Sequence, residues 1–353
     1  MKVLFVGPLP DPVTGQSLAC QVFLDELRHH HEVEVINLSK RDFAQGMDSL
    51  RRVREVLGIA WQVARRQARA DVVYLTTAES MAGNLKDLVL LSLCGRRLSS
   101  VTVHLHGGAG MRELLRPGRT VLRGLNRLLL HRLGAVVVLG GRQVDIFDGL
   151  VERDHIRIVP NFAQDELFLD EDAVRAKFRA QEPLRLLFLS NLLPGKGHEE
   201  LVDAVRSLTP DLQGRVHLDI AGAFDGPAAR DAFEKRIAGC PNITVHGVVR
   251  GAQKRALLQG AHLFCLPTYY PYEGQPISIL EAYAAGCAVL TTDHSGIFDV
   301  FTPDVSGLVV EKRSSESIRR ALTVALGNPA PLEAMALANR REAQEKYRTT
   351  RYN

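Results

Sequence analysis

Two glutamates eight residues apart, Glu273 and Glu281, bracket the start of the segment EGQPISILEAYAAGCAVLTT, which runs from Glu273 to Thr292. A Gly274-Gln275-Pro276 turn follows the first glutamate, and the apolar run ISILEAYAA follows the turn. Glu273 therefore belongs in a loop, and Glu281 one to two turns inside a helix. Pro276 suits a first helical turn, where its missing N–H costs nothing. The amides of Ile277, Ser278 and Ile279 would then point ahead of the helix. An anion there gains about 0.3–1 kcal/mol, and up to about 2 when partly buried, so a diphosphate is the expected occupant. Glu281 sits among Ile279, Leu280, Ala282, Ala284 and Ala285, where an unpaired carboxylate is costly. It needs partners, and sugar hydroxyls would serve. For an isolated pair the plainer alternative is a helix cap and a solvated helix glutamate.

His106 ends the apolar run SVTVHLHGG and precedes two glycines, a place where open α/β sheets carry functional side chains. His104, two residues earlier, points to the same face and is expected in the core. Lys196 sits in the glycine-flanked loop LLPGKGHEE. Asp170-Glu171-Asp172 has the look of a metal-binding pair but reads as a solvated charge run.

The elements that must position these groups alternate short β-branched runs with longer amphipathic stretches. KVLFVG, a helix from Ser17 to His29, EVEVINL, a basic helix to Ala70, DVVYLT, a further helix and SVTVHLHGG lead to AVVVLGG near Val136 and RIVPNF near Ile158. Such βαβα order predicts a parallel, doubly wound sheet. The pattern stops at Pro160 and a charged stretch follows. A second series begins with LRLLFLSNL at Leu184 and continues through VHLDIAG, ITVHGVV, HLFCLPT, CAVLTTD and GLVV. Expected limits are an N-terminal domain over 1–162, a linker over 163–182, a C-terminal domain over 183–330, and a terminal helix over 331–353 packing back toward the N-terminal domain. Neither half carries GxGxxG after its first strand, which argues against a dinucleotide enzyme.

The Glu273/Glu281 segment resembles the Glu-x7-Glu signature of family-4 retaining glycosyltransferases of the GT-B fold, of the kind that builds exopolysaccharide or lipopolysaccharide. The resemblance covers nearly the whole chain: Thr14-Gly15-Gln16, His106-Gly107, Pro160-Asn161, Lys196-Gly197, Ala221-Gly222, the LPT before Tyr269, and Ser295-Gly296 follow in the family's order. It implies two facing Rossmann-like domains, the first binding acceptor and the second a nucleotide sugar. By the same resemblance His106 touches the donor sugar near the reacting carbon, Glu273 contacts sugar hydroxyls, and Lys196 neutralises the diphosphate as charge develops. Glu281 would hold the ribose. Gly15, beside Gln16, would let backbone approach the phosphates, as glycine permits. Gly222 and the amides around Gly274, Gln275, Pro276, Ile277 and Ser278 would complete the donor cradle, with Val248 and Arg250 beside the nucleobase. One departure stands out: relatives commonly have Gly-Arg where this chain has Ser190-Asn191. Asn191 supplies no charge, so Lys196 and the helix terminus must suffice or another base such as Arg250 or Lys254 must substitute.

The resemblance implies no cofactor, no metal and no protein nucleophile, with a UDP- or GDP-sugar donor and a saccharide acceptor, polyprenyl-diphosphate-linked in many relatives. Rivals are a nucleotide-sugar epimerase, whose acid/base carboxylates are not evident in the N-terminal loops, and a catalytically silent nucleotide-sugar-binding protein, suggested by the missing arginine.

Composition sets outer bounds. A chain of 353 residues with 24% charged and 46% hydrophobic residues has the makeup of a two-domain globular protein. Its five cysteines, Cys20, Cys94, Cys240, Cys265 and Cys287, are scattered, without CxxC or metal spacing, and read as reduced buried thiols. The apolar run after Met1 is too short for an export signal, and the run around Leu88 to Leu93 suits a core helix rather than a membrane span. The net charge is +4, yet from Arg51 to Arg132 fifteen Lys or Arg stand against five Asp or Glu. Such a field suits nucleic acid, anionic lipid or a phosphorylated substrate; an anionic membrane surface is the expected partner, nucleic acid is not. Arg116, Arg119, Arg123 and Arg127 are expected on one face of a helix lying on that surface. The expected location is the cytoplasm, peripheral on the inner face of the plasma membrane.

Overall fold

The computed structural model describes residues 1–39, 49–179 and 183–352, without the side chains of residues 49–52, so Arg51 and Arg52 of the basic stretch lie outside the described side chains. The chain forms two compact units. One comprises Met1–Pro160 with Tyr272–Gln275, the other Asn161–Pro271 with Pro276–Tyr352.

The first unit runs β1 (Lys2–Gly7), α1 (Gly15–His30), β2 (Glu32–Asn37), α2 (Ser49–Arg66), β3 (Val72–Thr76), α3 (Met81–Cys94), β4 (Val101–Leu105), α4 (Ala109–Leu114), α5 (Thr120–Leu130), β5 (Ala135–Val138) and β6 (Ile156–Ile158). Its strands lie in the order β2-β1-β3-β4-β5-β6, all parallel. Because parallel sheets are covered on both faces, their strands are apolar throughout, and the pleat sends alternate residues to opposite sides. Leu4, Val6, Val73, Leu75, Val101, Val103 and Leu105 join one core with Val63 of α2, Leu88 and Leu91 of α3 and Leu122 of α5. Phe5 and Tyr74 face the other way, against Cys20 and Leu24 of α1. Helices α2, α3 and α5 therefore share one face of the sheet.

The second unit runs α6 (Glu171–Arg179), β7 (Leu184–Leu189), α7 (His198–Arg206), α8 (Pro210–Gly214), β8 (Val216–Ala221), α9 (Pro227–Ile237), β9 (Ile243–Gly247), α10 (Gly251–Gly260), β10 (Leu263–Leu266), α11 (Ile277–Ala284), β11 (Ala288–Thr291), β12 (Gly307–Val309), α12 (Ser315–Gly327), α13 (Ala330–Lys346) and α14 (Thr349–Tyr352). Its order, β12-β11-β10-β7-β8-β9, is again wholly parallel. Two such six-stranded sheets with flanking helices constitute the GT-B architecture.

Within the stretch expected to link the domains, 163–182, residues 180–182 lie outside the described residues, while α6 buries Val174 and Phe178 in the second core. Lys177 of α6 donates to the carbonyl of Ala285, just past α11, at 2.9 Å. Asp170 accepts the amide of Ala173 at 2.7 Å and Glu171 pairs with Arg341 at 3.2 Å, so the acidic run caps and braces α6. The terminal helix α13 buries Leu332, Met335, Ala336 and Ala343 in the same core.

The expected four-arginine helix is corrected. Helix α5 begins only at Thr120, after Pro117-Gly118 breaks the chain, so Arg116 and Arg119 precede it and both pair with Glu113 at 3.2 Å. Arg123 turns inward to the carbonyls of Leu115 and Asp148, and Arg127 alone of the four lies exposed on the helix.

Helices α3 and α5 are joined by a buried reciprocal amide pair, Asn84 Nδ2 to Asn126 Oδ1 at 3.1 Å and Asn126 Nδ2 to Asn84 Oδ1 at 2.9 Å. Asn126→Leu strands the Asn84 amide in an apolar layer and should cost about 1–3 kcal/mol, whereas replacing both with leucine should recover part of the loss. Urea denaturation followed by circular dichroism measures both.

Candidate active site

At the carboxyl edge of the second sheet, the loops after the adjacent strands β10, β7, β8 and β9 carry most of the residues singled out in the sequence. Lys196 lies in the loop after β7, between Gly195 and Gly197, whose φ values of +91° and +83° need glycine. That loop packs on the one after β10. Gly195 O accepts the amide of Tyr269 at 2.7 Å, a Cβ on Gly197 would stand 2.3 Å from Pro267 O, and Lys196 Nζ lies 4.7 Å from the centre of the Tyr270 ring. Lys196 and the approach to α11 are thus held together.

Helix α11 is capped by Pro276, without a side-chain cap bond. The amide of Ile279 is spent on Pro276 O at 3.1 Å, so it is not available ahead of the helix as the sequence led one to expect. Glu281 is the fifth residue of the helix and 2% exposed. Its partner is a cation rather than an open hydroxyl site: Lys254 Nζ of α10 lies 2.5 Å from Glu281 Oε1 and donates also to Gln164 Oε1 at 3.1 Å. Burial pushes the Glu281 carboxyl up, and the Lys254 ammonium opposes that shift.

Gly222, after β8, has no room for a side chain, since a Cβ would lie 1.8 Å from Ser190 O, and its amide bonds Gly247 O at 2.8 Å. Its glycine is therefore explained by backbone packing alone. Asn191 accepts the amide of Leu193 through its backbone carbonyl at 2.9 Å. Val248 and Arg250 are exposed on the loop between β9 and α10.

The first unit gathers the other group. Gly15 opens α1 behind a capping box of Thr14 and Ser17, and a Cβ there would meet nothing within 4 Å, so protein packing does not demand glycine. Gln16, in the same turn, is half-buried. The pleat of β4 puts His104 on the same face as Tyr74, whose hydroxyl lies 2.7 Å from His104 Nδ1. His106 continues that face. Its ring stacks on His104 at 3.9 Å, both its nitrogens are buried with no protein partner, and burial pushes the imidazole down to about 3. It is neutral at any physiological pH.

Glu273, Gly274 and Gln275 belong to this unit by their contacts, although they lie far along the chain. A Cβ on Gly274 would stand 2.1 Å from His106 O, and Gln275 donates to Leu139 O at 3.0 Å. Glu273 is 7% exposed. The structure thus brings Glu273, Gly274 and Gln275 to His106, and Lys196 to the loop after β10 at Tyr270. The two sets lie in different units.

Sequence reasoning missed Glu79, in the loop after β3. It accepts the amides of Gly108 and Met111 at 2.8 and 3.1 Å, and burial pushes its carboxyl up to about 7, helped by Glu273 and opposed by the amides. An acid at the carboxyl end of a parallel strand was the available signal. Lys254 entered only as a substitute for the missing arginine; the clue to its pairing was that Glu281 needed a partner.

Residues 170–345 match the family described as Glycosyl transferases group 1. Over 261 residues the chain is 24% identical to the amylovoran biosynthesis glycosyltransferase AmsK of Erwinia amylovora, covering 62% of this chain and 63% of that protein. A GDP-mannose-dependent alpha-(1-6)-phosphatidylinositol monomannoside mannosyltransferase of Mycobacterium tuberculosis H37Rv is 27% identical over 183 residues, 50% of this chain and 46% of that one. The chain spans less than two thirds of either relative's length. In fold it is similar to Anabaena HepE, solved in complex with UDP, with a TM-score of 0.71 and 16% identity over 100% of this chain and 97% of that one. The likeness to solved structures shows the GT-B fold.

The Lys254–Glu281 pair can be tested without a substrate. Removing one partner of a buried ion pair typically costs about 3–5 kcal/mol. In Lys254→Met the Glu281 carboxyl loses the charge that favours its ionisation, and its pKa in the folded protein, already raised, rises further. A raised acid contributes stability that is full below its unfolded pKa and lost as pH rises through the folded one. The deficit should therefore be larger at pH 8 than at pH 5 in paired urea titrations.

Proposed function

We propose that the chain is a retaining glycosyltransferase that moves a sugar from a nucleotide-diphosphate donor to a lipid-linked saccharide acceptor in bacterial polysaccharide biosynthesis. The observation that carries this reading is the carboxyl edge of the second sheet, where the glycine-flanked loop of Lys196 packs on the loop after β10 that leads toward α11. A diphosphate meets there a fixed ammonium and the positive end of a helix. Glu281 binds the ribose through Oε2, the oxygen that Lys254 does not hold. Val248 and Arg250 lie beside the base, and Asn191 and Gly222 line the phosphates. The donor class is UDP- or GDP-sugar, in keeping with a HepE structure solved with UDP-glucose and with the GDP-mannose dependence of the mycobacterial relative.

Glu273 takes hydroxyls of the transferred sugar, and neutral His106 hydrogen-bonds beside its anomeric carbon, with Gly15 and Gln16 against the phosphates. As the glycosidic bond to phosphate breaks, negative charge grows on the leaving diphosphate and Lys196 stabilises it. The acceptor hydroxyl attacks on the face the diphosphate leaves, and its proton passes to a phosphate oxygen. The configuration is retained, and neither cofactor nor metal takes part. A silent binding protein would hold the same nucleotide without turnover.

A panel of UDP, GDP and their sugars tests the reading: a nucleotide at 100 times its dissociation constant should stabilise the protein by about 2.7 kcal/mol. Glu281→Ala should lose about 1.5–3 kcal/mol of that affinity. Lys196→Ala should lower kcat by about 100-fold with little change in KM, because the charge it meets appears only in the transition state. Equal losses in both would remove it from that role.

Membrane association rests on the shared face of α2, α3 and α5. Leu57 and Trp61 of α2, Leu85 and Val89 of α3, and Leu125 and Leu128 of α5 are all exposed, from 46% for Leu125 to 62% for Leu57 and Leu128. Arg65 stacks on Trp61 at 4.8 Å, and Arg54, Arg127 and Arg132 are exposed on or beside these helices. Apolar side chains with basic neighbours suit an anionic bilayer surface, each cation near it adding about 1 kcal/mol before screening. No helix among the described residues is long and apolar enough to cross a membrane. The protein should pellet with anionic vesicles at low ionic strength, and Trp61→Glu with Leu128→Glu should leave it in the supernatant. A wild-type protein that stays in the supernatant overturns the membrane assignment.

A further inference from the structure

Glu79 has no part in the mechanism just described, yet two glycines, Gly107 and Gly110, make room for it. Its Oε2 accepts from Gly108 and Met111, at the entrance to α4. Its Oε1 lies over Gly107, where a Cβ would stand 1.2 Å away. Gly110 leaves room for the rest of the side chain, since a Cβ there would be 2.8 Å from Glu79 Cβ and 2.9 Å from Tyr272 Cδ1. The turn that Glu79 grips begins at His106, whose carbonyl is pressed against Gly274. On the far side of the turn, Gly107 O accepts from Gln143 Nε2. The backbone carrying the buried imidazole is therefore clamped by Glu79 on one side and by Gln143 and Gly274 on the other.

A carboxylate placed only to cap a helix of six residues would gain nothing from a second carboxylate beside it, and Glu273 is that second carboxylate. Among the described residues near the turn, His106 is neutral and Arg112 of α4 is committed to Asp145 at 2.7 Å. The position is electrostatically unfavourable and the geometry around it is narrow, so its value lies in what it fixes.

We propose that Glu79 is a positioning residue for glycosyl transfer, holding the His106-Gly107-Gly108 turn, and with it the His106 ring, by accepting the Gly108 and Met111 amides. The proposal rests on the reading of His106 as the group beside the anomeric carbon. What the turn needs from residue 79 is an oxygen at the right reach, not a charge. Glu79→Gln keeps that oxygen; Glu79→Ala removes it. Gly107→Ala keeps the glutamate but pushes its carboxylate off the amides.

Two readouts test this on the full chain. In amide hydrogen exchange, Gly108 and Met111 should remain protected in wild type and Glu79→Gln, and lose at least about tenfold protection in Glu79→Ala and Gly107→Ala. In hydrolysis of UDP-glucose and GDP-mannose, Glu79→Ala and Gly107→Ala should lower kcat by about tenfold or more with KM little changed, and Glu79→Gln should restore most of it. Unchanged exchange or unchanged kcat in Glu79→Ala overturns the proposal. So does a Glu79→Gln as impaired as Glu79→Ala, which would make the carboxylate itself the acting group. A wild type that hydrolyses neither nucleotide sugar sinks the transferase reading instead, and the exchange experiment still decides whether Glu79 holds the turn.

Discussion

A parallel sheet covered on both faces has no polar surface of its own, so everything that can recognise a ligand is driven to the loops at the strand ends. In the first unit the pleat then settles which side chains reach those loops. Val101, Val103 and Leu105 of β4 point into the core shared with α2, α3 and α5, and the alternate residues Thr102, His104 and His106 point the other way. His104 is stopped inside the protein by the Tyr74 hydroxyl. His106 is the first residue of that row beyond the strand. The same constraint leaves α2, α3 and α5 sharing one side of the sheet, each with exposed apolar side chains such as Leu57, Val89 and Leu128.

Close backbone approach is the second constraint, and within the candidate site it works at three places. Gly197 against Pro267, Gly222 against Ser190 and Gly274 against His106 each leave less than 2.5 Å for a Cβ. These glycines lock loop to loop, so that Lys196 and the peptide carrying Glu273 are located by rigid backbone instead of by their own flexible side chains. A lysine or glutamate on a free loop loses rotamer entropy on meeting a ligand; one on a fixed loop has less to lose.

The βα order, the parallel sheets and the identity of every strand core were legible in the sequence, because both-face burial writes apolar runs such as LRLLFL and the turns end them with Gly, Pro or Asp. Within the site, the helix start at Pro276 and the burial of Glu281 were legible for the same reason, as a carboxylate in an apolar run is conspicuous. What could not be read was pairing at a distance. The contact between Lys254 and Glu281 depends on how α10 packs beside α11, and that of Glu79 with Gly108 on the alignment of β3 with β4. Neither leaves a periodic trace. The arginine face failed for a local reason, since spacing alone places Arg116 and Arg119 on α5 while Pro117-Gly118 keeps them off it.

The two units also divide the charge. In the proposed reaction the second unit offers the phosphates cationic or helix-positive groups, Lys196 and the amides at the head of α11. The first unit offers the sugar Glu273 and the neutral imidazole of His106, while Glu79, raised to about 7 because burial and Glu273 both resist its ionisation, is taken up by backbone amides. In the proposed reaction this division has a use. A diphosphate is drawn to the second unit, where its growing charge is stabilised. The sugar's hydroxyls, which donate hydrogen bonds, are drawn to acceptors in the first. In that reading the donor's charged end and its hydroxyls are sorted by electrostatics and by hydrogen-bond type before any base contact forms.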